Sequence, residues 1–209
     1  MFLVKNLKYL VVSIIVSSPV FAEVNGLAAY MQGDYFNAKD ALNKECKLGV
    51  SISCSFLGNL YLIGQGVEAD VSKSIQLYTK ACKAGEETGC NSLGILYSEG
   101  TGVPKDLKKA AEYFTKACDT KRSIGCFPLG QAYMFGHGVP QNKFKAVELY
   151  ERACKERKAD ACVDLGFEYY NGTSVSKDLQ KAKEYSKKGC EYGNKNGCNN
   201  YQIMMNESM

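Results

Sequence analysis

Ten cysteines carry most of the reactive chemistry in this chain: Cys46, Cys54, Cys82, Cys90, Cys118, Cys126, Cys154, Cys162, Cys190 and Cys198. The first of each pair recurs every 36 residues and the second follows eight later. Thiols so placed can close disulfides or ligate a metal. Zinc sites usually combine C-x₂₋₄-C spacing with histidine, and neither accompanies these cysteines, so disulfides are expected and no metal or cofactor is. His137 is the one histidine. It stands between two turn glycines, in a slot that other repeats fill with Gln65, Thr101 and Thr173, and reads as an exposed loop residue. With no second histidine, neither a Ser-His-Asp nor a Cys-His site can be assembled elsewhere. One S-x-x-K occurs, Ser174 to Lys177, without the S-D-N and K-T-G partners of serine β-lactamases. The catalytic residues of any hydrolysis are therefore unknown from sequence.

The elements that hold these residues repeat with the cysteines. Leu57, Leu93, Leu129 and Leu165 are each followed by a glycine, and four residues after each Leu comes Tyr61, Tyr97, Tyr133 or Tyr169. Cys90, Leu93, Gly94 and Tyr97 fall at i, i+3, i+4 and i+7, one apolar stripe of a helix. Glycine inside a helix costs roughly 1 kcal/mol relative to alanine, so four in register need a reason. The expected reason is close approach of the small residues Ser74, Ala110, Ala146 and Ala182 on a second helix. Between the two helices lies a turn, Gly64-Gln-Gly-Val67 and its counterparts from Gly100, Gly136 and Gly172. Asp70, Asp106, Asn142 and Asp178 then stand ready to cap the second helix. Lys73, Lys109, Lys145 and Lys181 follow on its expected solvent face. A fixed period sustained five times predicts an all-α solenoid of helix pairs, an α/α superhelix. Glu23 to Gln32 is expected to supply a shortened first partner, and the helix after Cys198 a cap.

Residues 1–22 read as a signal peptide. Lys5 and Lys8 precede an apolar run, Tyr9 to Val16, and Val20-Phe21-Ala22 offers a cleavage site before Glu23. The run is too short to span a bilayer, and nothing later is apolar enough, so no membrane span is expected. Residues 23–209 then form a single repeat domain, secreted or periplasmic, where disulfides persist. The formal charge of +4 includes Lys5 and Lys8, and the remainder leaves no basic footprint for nucleic acid. A monomer is expected.

The pattern A-C…G-C…LG…Y…G-x-GV-x-x-D…A…Y-x-x-A-C resembles the Sel-like repeat (SLR) family, a relative of the tetratricopeptide repeat, and within it the cysteine-rich secreted Hcp branch. Ser174 in place of the second loop glycine and Gln202 in place of the helix glycine depart from it. The resemblance implies a tetratricopeptide-like superhelix with one disulfide per repeat, β-lactam binding with weak penicillinase activity in some members, and action on host cells in others. The simplest bond that repeats with the cysteine ruler joins each leading Cys to the one eight later.

In tetratricopeptide-like solenoids the first helix of each pair lines the groove. Transferring that phase selects Ser55, Asn59, Asn91, Phe127, Gln131, Met134, Phe167 and Tyr170. Amides beside aromatics suit a peptide or a small polar ligand. Two functions remain open at this stage. One is a binding protein for a peptide, a cell-wall fragment or β-lactam, or a host protein. The other is a β-lactamase hydrolysing penicillins, implied by resemblance alone.

Overall fold

The computed structural model describes residues 26–120 and 122–206. The export segment expected over residues 1–22 lies outside them. The described residues form eleven helices and no strand. They fall into two compact units divided between Ala84 and Gly85.

The first unit holds α1 (Gly26–Met31), α2 (Tyr35–Lys47), α3 (Ser51–Ile63) and α4 (Val71–Lys83). The short α1 is the expected shortened partner of α2. Its core is Ala38, Leu42, Leu57 and Leu60, flanked by Tyr30, Phe56 and Leu77. Glu45 on α2 is 3% exposed yet fully engaged: it accepts hydrogen bonds from the Gly26 amide at 2.9 Å and from the Ser53 hydroxyl at 2.5 Å. A buried carboxylate thus closes the start of α1, where backbone N–H groups lack helical partners.

The second unit holds α5 (Glu87–Glu99), α6 (Leu107–Cys118), α7 (Cys126–Phe135), α8 (Lys143–Lys155), α9 (Ala159–Asn171), α10 (Leu179–Glu191) and α11 (Lys195–Asn206). Consecutive helices pack on one another, and one core runs through Phe114, Leu129, Tyr150, Leu165 and Met204.

In both units the turn between paired helices is built alike. Gly64, Gly100, Gly136 and Gly172 end the first helix in the left-handed region, at φ 80°, 84°, 74° and 71°. Asp70, Asp106, Asn142 and Asp178 then cap the second helix, each accepting a hydrogen bond from the backbone N–H of the lysine three residues on, at 2.8 to 3.0 Å. Those lysines do face solvent, and each also lies over a ring of the preceding helix. The Nζ-to-centroid distances are 4.1 Å for Lys73 over Tyr61, 5.3 Å for Lys109 over Tyr97, 4.3 Å for Lys145 over Tyr133 and 5.0 Å for Lys181 over Tyr169. Lys73 and Lys145 also donate to the tyrosine hydroxyl, at 2.7 and 2.8 Å. In the alternate repeats a second tyrosine stacks on the first instead, Tyr113 on Tyr97 and Tyr185 on Tyr169.

The disulfides join the last turn of a second helix to the first turn of the helix that follows. Cys46–Cys54, Cys118–Cys126, Cys154–Cys162 and Cys190–Cys198 have Cα separations of 4.4 to 4.9 Å. Cys82 and Cys90 are also disulfide-bonded, and no described cysteine is free. Side chains from 34 residues downstream tie down two of these corners: Lys80 Nζ donates to the Cys46 carbonyl and an Arg152 nitrogen to the Cys118 carbonyl, both at 2.7 Å.

One packing expectation is corrected. The helix glycines do not chiefly meet the small residues of the second helix. A Cβ on Gly130 would lie 2.7 Å from the ring of Tyr150, with Ala146 contributing only its carbonyl oxygen at 3.3 Å. Gly58 likewise faces Tyr78 and Gly94 faces Phe114. Only Gly166 meets a small side chain, the Ser186 hydroxyl, because the fourth repeat replaces the aromatic. Glycine here makes room for a ring.

Candidate functional site

The eight residues selected for a groove lie on the first helices in three rows separated by the 36-residue period. Ser55, Asn91 and Phe127 form one row; Asn59, Gln131 and Phe167 a second, completed by Ile95 and Ile203; Met134 and Tyr170 a third, completed by Ser98. The structure does not open all of them to a ligand.

Within the first unit, Ser55 is fully buried. It sits one helical position after Cys54, on the side of α3 turned to the core, and so lines no open face. Asn59 is half-buried, and its side-chain oxygen accepts the Tyr78 hydroxyl at 2.5 Å.

Within the second unit, Phe127 packs against Tyr150, at 5.6 Å between ring centroids, and supports the core edge more than an open surface. Asn91 is half-buried with its side-chain oxygen enclosed and unpartnered. The other four selected residues do come together, in successive hollows between neighbouring first helices. Gln131 lines a hollow of about 370 Å³ between α5 and α7 with Ile95, Ser98 and His137. Met134 and Phe167 share one of about 410 Å³ between α7 and α9. Phe167 and Tyr170 share one of about 200 Å³ between α9 and α11 with Asn200 and Ile203. Met134 is mostly buried, whereas Phe167 is 58% exposed and Phe135 beside it 62%.

The middle hollow carries residues that repeat position alone did not advertise. Asp164 and Glu168, one helical turn apart on α9, both line it, as does Tyr150 from α8. Burial, then the neighbouring Asp160 and Glu168, push the Asp164 carboxyl up to about 6. Burial, with Asp164 and Glu168 nearby, also raises the Tyr150 phenol. Both shifts report negative charge held in a site short of water. A sequence signal existed. The slot of Asp164 is filled by Phe56, Ser92, Pro128 and Asn200 in the other repeats, so the carboxylate is the exception in its row.

The residues that could have supported hydrolysis are not assembled. Ser174 is buried and its hydroxyl has no hydrogen-bond partner, while Lys177 lies over the Tyr170 ring at 5.3 Å. His137 is exposed in its turn, 5.7 Å from the Phe135 ring. No group of three or more metal-ligating side chains occurs among the described residues, and no helix there is long and apolar enough to cross a membrane.

Comparison with known proteins places this arrangement. No curated protein matches the chain. Among solved structures, a Sel1 repeat protein from Oxalobacter formigenes is 27% identical over 84% of this chain and 72% of its own, with a TM-score of 0.75. Helicobacter pylori cysteine rich protein B is 34% identical over 59% of this chain and 94% of its own, with a TM-score of 0.48. Immunity protein Pa5087 from Pseudomonas aeruginosa is 21% identical over 83% of this chain and 68% of its own, with a TM-score of 0.57, a likeness of fold alone. The Sel1 repeat profile matches residues 51–86, 88–119, 123–157 and 159–194. Each match brackets one Gly-turned helix pair, and together they take in most of the chain, which belongs to the Sel1 repeat family.

Proposed function

We propose that this protein is an exported, disulfide-stapled binding scaffold whose second unit receives an extended segment of a protein partner along the first-helix face. Sel1 repeat proteins mediate protein–protein interaction. The observation that carries the reading to this face is the run of three hollows at one repeat spacing, between α5, α7, α9 and α11. Pockets repeated along one face suit side chains spaced along one side of an extended chain, while amides such as Gln131 and Asn200 suit its backbone. Export accords with ten cysteines of which none is free among the described residues, and with the signal peptide read over residues 1–22. The cysteine ruler supports placement near the secreted Hcp branch. β-Lactam hydrolysis gains no support from Ser174, which is buried with its hydroxyl bonded to no base.

Selection of random dodecapeptides on the full oxidised chain, followed by amide NMR mapping of the recovered sequences, tests the reading. Saturable shifts along α5, α7 and α9 at Ile95, Gln131 and Phe167 are expected. Shifts confined to the second helices or to the cysteine turns would place the binding surface elsewhere.

A further inference from the structure

The hollow between α7 and α9 combines features that core packing does not require. Asp164 and Glu168 project into it from α9, and Tyr150 reaches it from α8 through the space that Gly130 leaves open. Glu168 is 8% exposed and uses one oxygen to accept the Thr173 hydroxyl, at 2.5 Å. Asp164 makes no hydrogen bond or ion pair among the described residues. Neither does the hydroxyl of Tyr150, although the residue is only 2% exposed. Its counterpart in the first unit, Tyr78, has its hydroxyl bonded to Asn59. The phenol and the carboxylate meet no protein partner on the wall of one cavity, which leaves both open to water or to a ligand that enters it.

The walls define what that ligand must be. Phe135, Phe167 and Met134 are apolar, and the first two stand exposed at the mouth. The charged and titratable groups around the hollow are Lys143 and Tyr150 from α8 and Asp164 and Glu168 from α9; α7 contributes none. Asp160, one turn below Asp164, is already held by Lys158 at 2.8 Å and by Asn194 at 2.8 Å. Two carboxylates against one ammonium leave the balance of charge negative, beneath an aromatic rim. We propose that this hollow is the specificity pocket for an arginine side chain of the partner segment, its guanidinium bridging Asp164, Glu168 and the Tyr150 oxygen. A planar fork of five N–H donors fits acceptors spread over two helices, and a methylene stem fits between phenyl rings. At about 410 Å³ the hollow has room for it. This assignment rests on the first-helix face being the binding surface and adds to it the identity of one side chain.

The probes are two blocked pentapeptides, acetyl-Ala-Ala-Arg-Ala-Ala-amide and the same peptide with the isosteric neutral citrulline for Arg. They are titrated into the full oxidised chain and followed by amide NMR. At pH 7.5 the arginine peptide is expected to shift Phe135, Asp164, Phe167 and Thr173 saturably and to bind at least about tenfold more tightly than the citrulline peptide. Asp164→Asn with Glu168→Gln should erase that preference without unfolding the protein, and Tyr150→Phe should reduce it. Lowering the pH through about 6 should weaken the arginine peptide alone, as Asp164 takes up a proton. Equal binding of the two peptides would overturn the arginine pocket while leaving the first-helix face standing. The absence of saturable shifts at these residues would overturn it as well. The dodecapeptide mapping is read independently and reports whether the face itself survives.

Discussion

Gly130→Ala tests the packing principle of the repeat, because two known effects oppose each other there. Alanine is the better helix former by about 1 kcal/mol. The added Cβ, however, would sit 2.7 Å from Cδ1 and Cε1 of Tyr150, against ordinary carbon contacts of about 3.5–4 Å. The ring has little room to retreat, being 2% exposed with Phe127 packed 5.6 Å away. Overpacking of this kind costs about 1–3 kcal/mol, so the net change should run from about zero to 2 kcal/mol destabilising. Removing the ring removes the conflict. In a Tyr150→Ala background, itself destabilised by a cavity, Gly130→Ala should stabilise by about 1 kcal/mol. The sign change corresponds to a coupling of about 1–3 kcal/mol. Urea denaturation of the four oxidised variants of the cycle measures it. If Gly130→Ala stabilises both backgrounds equally, the glycine is not making room for the ring, and the same reading of Gly58 and Gly94 falls with it.

Asp164→Asn should stabilise the protein at pH 7 and above. Its folded carboxyl is pushed up to about 6 from an ordinary value near 3.8, so the ionised form opposes folding above pH 6 and the penalty fades as the pH falls through that range. The full shift is worth about 3 kcal/mol, which partial solvent exposure reduces to about 1–2 kcal/mol; denaturation below pH 4 should show no difference between the two proteins. Asp106→Ala removes the cap that holds the Lys109 amide at 3.0 Å and should cost about 1 kcal/mol, with faster hydrogen exchange in the first turn of α6. Lys145→Met keeps the stem over Tyr133 but loses the charge and the 2.8 Å hydrogen bond; a loss of about 0.5–1 kcal/mol in thermal unfolding is expected, declining little with salt. Reduction of the disulfides should lower stability by several kcal/mol in sum, since each short loop is worth about 2.5 kcal/mol in the chain-entropy account and the bonds are not independent. Thiol titration after denaturation checks the starting state.

Features that recur by backbone necessity were legible in the sequence. The left-handed glycines at 64, 100, 136 and 172 and the caps at 70, 106, 142 and 178 follow from local geometry that few other residues satisfy, so spacing alone located them. The partner of the helix glycines was not legible. Ala110 and Ala146 recur faithfully, whereas the position that meets the glycine reads Tyr78, Phe114, Tyr150 and Ser186, and its variation hid its role. Ser55 was misplaced because a small hydroxyl is equally at home in a core or on a surface, and the helix phase transferred from a related repeat was not fine enough to separate the two. Arg157 was also unreadable: it takes, at φ 64°, the left-handed turn position that Gly49, Gly85 and Gly193 hold elsewhere, and its guanidinium rests over the Tyr192 ring at 5.0 Å. Asp164 escaped notice because periodicity directs attention to what is repeated, while a recognition pocket depends on what is not.

Each disulfide is confined to a single corner of the chain, and this has a mechanical consequence. Because partners are eight residues apart, each cross-link pins only the corner between successive helix pairs and leaves the rest of their packed faces free to separate when the ends are pulled. The bonds instead set the length released at each rupture. Eight residues span roughly 27 Å when extended, and the bond holds their ends within 4.4 to 4.9 Å, so an oxidised corner withholds roughly 20 Å of contour that a reduced one gives up. Stretched between a surface and a partner, such a chain would lengthen in shortened, uniform steps and keep each bonded corner as a ready-made bend from which the two helices it joins can re-form.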